Sequence, residues 1–324
     1  MLDLSGEGLE EISSASLHAE SSSNDADNSA EPLVELVLMH NKIRTIERLE
    51  PLTALQRLSL RANRVEEISG LACCTALREL ELYENQIKTL QGLDGLSQLT
   101  TLDVSFNLVE GISGLESAGL ASLESLYLAH NKIERIDGLS NLPSLRLLEL
   151  GSNAIRVVEN LSSVPTLTEL HLGRNKLRSL NDGGLTSLKS NLKVLGLASN
   201  RIRSLDGVEP LMELRELYAD HNDISSVEPL ACLTNLQTLE LGANKICELQ
   251  PLSSLAQLEE LWLSSTAISD VEQLQPLSKL PALQTLRLAG CPLAREAGYR
   301  ASVLKAMPAT LQQLDADPVR PNER

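Results

Sequence analysis

The chain has 324 residues, 42% of them hydrophobic but only 2% aromatic, with one Phe, one Trp and four Tyr. Its core must therefore be built almost wholly from aliphatic side chains, a bias more common in repeats than in single compact cores. The acidic excess, 44 Asp and Glu against 28 Lys and Arg for a formal charge of -16, argues against nucleic acid as a partner and for a basic protein surface. No stretch of eighteen apolar residues predicts a membrane span.

In chain order, residues 1–20 have neither a basic start nor an apolar run, so no secretory signal is predicted. Leu2-Asp3-Leu4 with Leu9, Glu10, Glu11 and Ile12 reads as half of a repeat. A Ser- and acid-rich stretch over 13–31 follows, too poor in apolar residues to fold by itself. Ser22 with Asp25 could serve as an acid-directed phosphorylation site there, but a solvated linker is the plainer reading.

From residue 33 the phrase L-x-L-x-x-N recurs, with its asparagine at Asn41, Asn63, Asn85, Asn107, Asn131, Asn153, Asn175, Asn200, Asn222 and Asn244. Two degenerate copies carry Thr266 and Cys291 at that position. Steps of 22 residues dominate, with small insertions before Asn131, Asn200 and Cys291. Such a period is the signature of a leucine-rich repeat. Alternation in Leu80-Glu81-Leu82 predicts a short strand with both leucines inside and the middle residue outside. The asparagine can bond free backbone groups at the turn, and stacked copies make a ladder. In the return half, Ile87, Leu90, Leu93 and Leu96 stand three apart, which suits 3₁₀-type turns better than an α-helix. One unit cannot bury its leucines alone, so neighbours must cover them, at roughly 1.5–3 kcal/mol per buried side chain. The predicted fold is an α/β solenoid of about twelve 22-residue units, with a parallel concave sheet and short 3₁₀ or helical convex segments.

Pro292-Leu293 leads into a predicted amphipathic helix around 297–306, which Pro308 ends, and Leu311, Leu314 and Asp315 close the last coil. The predicted organisation is a half repeat with its loop over 1–32, the solenoid over 33–291 and a cap over 292–324. The five cysteines, Cys73, Cys74, Cys232, Cys247 and Cys291, are odd in number and form no C-x-x-C pair. They read as reduced, buried thiols of an intracellular protein.

The residue between the two strand leucines, and the one two places earlier, should face the concavity. Read in order, the central residues are Val37, Ser59, Glu81, Asp103, Tyr127, Glu149, His171, Gly196, Tyr218, Glu240, Trp262 and Arg287. Glu79, Glu169, Glu216 and Glu260 are among the earlier partners. Aromatic anchors amid carboxylates are what a protein-binding surface requires. At about 4.8 Å per strand the row would extend over roughly 50 Å, the scale of a protein and not of a small ligand. Glutamate at an exposed strand position often does no more than keep a protein soluble. Trp262 differs, because a lone Trp expected at an exposed position has no core role to explain it.

No catalysis, cofactor or metal is predicted. His40, His130 and His221 each precede a ladder asparagine but stand about 20 Å apart by strand spacing, too far to share a metal. His171 beside Glu149 has no nucleophile or oxyanion donor next to it, and no Gly-rich phosphate loop precedes a helix.

Specific phrases go further: LRELELYENQIK (77–88), LDVSFNLV (102–109), LSNLPSLRLLELGSNAIR (139–156), LRELYADHNDI (214–224) and LEELW (258–262). With them go the long step from Trp262 to Arg287 and the cap residues Tyr299-Arg300, Val303, Pro308 and Leu314-Asp315. Over about residues 33–319 the chain resembles the leucine-rich-repeat, SDS-type regulatory subunits of protein phosphatase 1. The resemblance implies a non-enzymatic nuclear or cytoplasmic subunit, monomeric by itself, that grips the phosphatase catalytic subunit through its concave face. It places the contacts on Asp103, Tyr127, Glu149, His171, Glu240, Glu260, Trp262 and Arg287; Tyr218 joins them from the aromatic pattern alone. Asp103, Glu149, Glu260 and Trp262 keep the family residue, and Glu240 stands for an aspartate. Tyr127 and His171 replace phenylalanine, and Arg287 replaces tyrosine. The R-V-x-F docking peptide of other phosphatase regulators is absent, since Arg64-Val65 and Arg156-Val157 lack the aromatic. The alternative is a structural or assembly scaffold, like ciliary or axonemal leucine-rich-repeat proteins. A ribonucleoprotein role would need a separate RNA-binding partner, for no basic stretch supports direct contact.

Overall fold

Each repeat opens with a short strand whose leucine is fully buried while its neighbours stay partly open, as in Glu79-Leu80-Glu81. The computed structural model describes residues 1–13 and 32–323. Most of the Ser- and acid-rich stretch, with Ser22 and Asp25, lies outside the described residues.

The chain divides into two compact units, Met1–Ala154 with Ser163–Leu167, and Ile155–Ser162 with Thr168–Arg324. The first holds β1 (Leu2–Asp3), β2 (Glu35–Val37), β3 (Arg57–Ser59), β4 (Glu79–Glu81), β5 (Thr101–Asp103), β6 (Ser125–Tyr127) and β7 (Leu147–Glu149). The second holds β8 (Glu169–His171), β9 (Val194–Gly196), β10 (Glu216–Tyr218), β11 (Thr238–Glu240), β12 (Glu260–Trp262), β13 (Thr285–Arg287), β14 (Gln313–Leu314) and β15 (Asp317–Pro318). Within each unit the strands lie in chain order and pair in parallel with leucine opposite leucine, as in Leu58 to Leu80 and Leu239 to Leu261. Among the described residues only β15 runs antiparallel, against β14.

The asparagine ladder has one geometry throughout. Asn107 Oδ1 accepts from the Ile87 N–H at 2.9 Å, and its amide donates to the Leu82 and Val104 carbonyls at 2.9 and 3.0 Å. Each such carbonyl serves two repeats, for Leu82 also accepts from Asn85 and Val104 also accepts from Asn131. The degenerate copies hold the ladder by other means. The Thr266 hydroxyl donates to the Leu263 carbonyl at 2.7 Å, and Cys291 Sγ reaches the same oxygen at 3.1 Å.

For the asparagine to turn inward, the residue before it must bend left-handed. From His40 to Ser265 that residue has φ between 52° and 59°, and it is not once glycine.

The return segments bury Ile87, Leu90, Leu93 and Leu96 completely; the 87–96 segment does so with irregular turns and not the expected 3₁₀ turns, which appear in other return segments such as Glu228–Cys232 and Gln250–Ser254. The longest, Val271–Lys279, is capped by Asp270, whose side chain accepts from the Glu272 N–H while Gln273 accepts from the Asp270 N–H.

Both ends are closed. At the front, Leu9 N–H donates to Asn41 Oδ1 at 2.9 Å, and β1 pairs in parallel with β2. At the other end α1 (Tyr299–Ala306) packs on the 3₁₀ segments Val271–Lys279 and Pro292–Arg295, and Asp315 accepts from the Leu288 N–H and from the Tyr299 hydroxyl. Arg300 holds Glu323 through two nitrogens, at 2.7 and 3.0 Å. The five cysteines are free; Cys74 and Cys291 are buried, but Cys247 is exposed, because it follows the inward Ile246 and points the other way. That corrects the expectation of uniformly buried thiols. Among the described residues no helix is long and apolar enough to cross a membrane.

Candidate functional site

The first and third residues of each strand flank a buried leucine, so they form the open face of the sheet. In the first unit Arg57 bridges Glu35 and Glu79, with its nearest approaches at 3.3 and 2.7 Å. Glu81 accepts from the Ser59 hydroxyl at 2.8 Å. Asp103 and Glu149 each accept from the backbone N–H two residues on, Ser105 at 2.8 Å and Gly151 at 2.6 Å, which fixes their carboxylates at the strand ends. Tyr127, half-buried, stands on β6 between Asp103 and Glu149 in register.

In the second unit His171 lies over Gly196, where an added Cβ would come within 2.9 Å of its Nδ1. Its Nε2 is 4.0 Å from Glu169 on the same strand. Tyr218 donates to Glu216 at 2.7 Å, and its hydroxyl pKa is pushed up by burial first and then by that carboxylate. Trp262 is half-buried, because the Arg287 guanidinium lies over its ring at 3.9 Å from the centroid. Trp262 Nε1 and Arg287 Nε are both buried without a hydrogen-bond partner. This corrects the expectation of an openly exposed Trp262: the indole lies under an arginine cover, and its Nε1 and the Arg287 Nε have no acceptor among the described residues. Glu240 lies in register with Trp262 and Tyr218. Burial, and next the Asp220 charge, raise its carboxyl above the ordinary glutamate value, against the pull of Arg287. Glu260 occupies the far end of β12.

The structure thus brings Tyr218, Glu240, Glu260, Trp262 and Arg287 together on β10 to β13, with His171 on β8 of the same unit. Asp103, Tyr127 and Glu149 form a separate group on β5 to β7 of the first unit. No hydrolytic or transfer chemistry follows from these contacts, and among the described residues no three His, Cys, Asp or Glu side chains converge as a metal site needs.

Sequence reading missed one set of side chains altogether. In the turns after β3 to β6, the Arg61 guanidinium lies 4.3 Å over the Tyr83 ring, Tyr83 meets Phe106 at 4.8 Å, and Phe106 stacks on His130 at 4.0 Å and 17°. The signal was available: Arg61 and Tyr83 share one column of the repeat, two before the asparagine, while Phe106 and His130 share the next.

Family comparisons agree with this architecture. A model for the leucine rich repeat matches residues 97–155 and 165–224, a second leucine-rich-repeat model matches 217–324, and a two-copy model matches 75–117. No curated protein matches in sequence. An internalin (inlF) from Listeria monocytogenes is similar in structure, with TM-score 0.74 and 26% identity, covering 89% of this chain and 82% of its own. The APL1 leucine-rich repeat domain is similar with TM-score 0.65 and 25% identity, covering 78% of this chain and 67% of its own. A leucine-rich-repeat protein of Leptospira interrogans, 21% identical with TM-score 0.61 over 96% of this chain and 94% of its own, shares the fold.

Proposed function

The chain belongs to the leucine-rich-repeat family, and from that premise we propose that it is a non-catalytic regulatory subunit of protein phosphatase 1, binding the catalytic subunit through the open face of its strands. The family makes a protein–protein interaction scaffold the general role; the phosphatase is the specific partner proposed. One observation carries the reading most: Trp262 and Arg287 form a stacked pair with two buried, unpaired donors, set among Glu216, Glu240 and Glu260. An unpaired buried donor costs free energy that an incoming acceptor recovers, and an aromatic–arginine pair is the composition of an interface anchor. The partner's basic groups would meet the carboxylates, and its carbonyl or carboxylate oxygens the two donors. The sequence phrases shared with SDS-type subunits support the choice of partner, since Asp103, Glu149, Glu260 and Trp262 keep that family's residues.

Carboxylates at the rim should speed and steer association and lose their effect in salt, while the Trp262 contact should not. Trp262→Ala should cost about 2–4 kcal/mol of binding. The test is co-precipitation with purified phosphatase 1 catalytic subunit, using wild type and the Trp262→Ala, Glu260→Ala double variant. Retention of wild type and loss of the variant is the expected result. Equal retention would place the contact elsewhere, and recovery of tubulin or dynein in place of the phosphatase would favour the scaffold role.

A further inference from the structure

Phe106 has no structural reason to be phenylalanine. It is the chain's one Phe, it is 41% exposed, and it sits at φ 57°, a backbone region that bulky side chains avoid and that glycine or asparagine enters readily. The corresponding residue in other repeats is His, Ala, Glu, Ser or Arg at nearly the same φ, from His40 to Ser265, so the turn takes many side chains and does not ask for phenylalanine. Stacking on Tyr83 and His130 returns a gain of the same order as the cost of the left-handed bend, which leaves stability with no net preference. An exposed aromatic held in a ladder, at a turn position that the fold leaves open to many residue types, points to a contact.

We propose that the Arg61–Tyr83–Phe106–His130 ladder is a second contact strip for the phosphatase catalytic subunit, taking a segment of that subunit in which an apolar side chain is flanked by basic ones. The inference rests on the phosphatase reading and extends it from the strand face to the turns that follow. Arg61 covers a face of Tyr83, His130 covers a face of Phe106, and Tyr83 meets Phe106 at 44°, so the ladder presents mainly ring edges, spaced by about one strand separation. Ring edges accept aliphatic and aromatic carbon. Exposed Glu84 stands in the turn next to Tyr83, and Glu81 and Asp103 end the strands that lead into Tyr83 and Phe106; these carboxylates select basic neighbours for that apolar group. The strip is continuous with the strand face through Asp103, Ser105 and Phe106, and the Ser105 N–H is already held by the Asp103 carboxylate.

The experiment compares wild type, Phe106→Asn, Phe106→Tyr and His130→Asn, by thermal melting and by calorimetric titration against the phosphatase 1 catalytic subunit at low and high salt. Asparagine tolerates the left-handed bend, so Phe106→Asn should melt no lower than wild type while its affinity falls about tenfold, the scale of a single contact residue. Phe106→Tyr should bind as wild type, His130→Asn should bind more weakly, and the Phe106→Asn deficit should persist at high salt, as an apolar contact requires. If wild type binds and Phe106→Asn binds equally well, the ladder is overturned and the phosphatase reading stands. If wild type does not bind, both fall together.

Discussion

Replacing Asn107 by alanine removes one rung of the ladder that joins the repeats. Asn107 is only 6% exposed, so water has poor access to the groups it leaves. Its Oδ1 is the acceptor for the Ile87 N–H, and without it that buried donor is orphaned, at about 1–3 kcal/mol. The Leu82 and Val104 carbonyls lose one bond each but keep Asn85 and Asn131, so each loss is worth about 0.5–1.5 kcal/mol. Together these predict a destabilisation of about 2–6 kcal/mol, in the upper range for a point mutation. Asn107→Thr should recover part of it, because Thr266 bonds its own repeat's carbonyl in the same place. Urea denaturation followed by circular dichroism measures the total. Amide exchange at Ile87 and its neighbours measures the local effect, which matters because repeats need not unfold as one. A loss below about 1 kcal/mol, with Ile87 still protected, would refute the idea that the ladder holds the repeats together.

Arg287→Ala should uncover the indole of Trp262, and because the chain has one Trp its fluorescence should shift to the red without loss of fold; an unchanged emission maximum would mean the guanidinium does not cover the ring. Burial holds the Glu240 carboxyl above its ordinary value, so its ionised form disfavours folding as pH rises through the unfolded value near 4.5 and a basic partner should favour that form. Binding should therefore weaken as pH falls through the raised value and should release protons, seen as a buffer-dependent heat that Glu240→Gln abolishes. Arg300, and after it the Arg320 N–H, lower the Glu323 carboxyl to about 2. Its support for the cap is accordingly complete above 4.5 and fades as pH falls toward 2; amide exchange in α1 should show that loss in wild type and not in Glu323→Gln.

The repeat was legible because its two requirements, alternating leucines and an asparagine at each turn, are set within one unit and recur at a fixed step. In the cap, the stop at Pro308 was legible for the same local reasons, whereas the two hydrogen bonds that Asp315 accepts were not. Strand alternation also found the open-face residues Asp103, Tyr127, Glu149, Tyr218, Glu240, Glu260, Trp262 and Arg287. What it could not give was contact between repeats. That Arg287 covers Trp262, or that Phe106 stacks on His130, follows only when residues more than twenty apart in sequence lie side by side. The left-handed bend before each asparagine was hidden for another reason: glycine, its usual sign, is replaced there by His, Ala, Glu, Phe, Ser and Arg, because the ladder bonds on the next residue hold the turn.

The most direct test of the proposed role is calorimetric titration of the full chain against the phosphatase 1 catalytic subunit, with Trp262→Ala measured alongside. A one-to-one complex that the substitution weakens about tenfold or more is the predicted result. Absence of binding between a folded chain and an active phosphatase, or equal affinity for both forms of the chain, would contradict it.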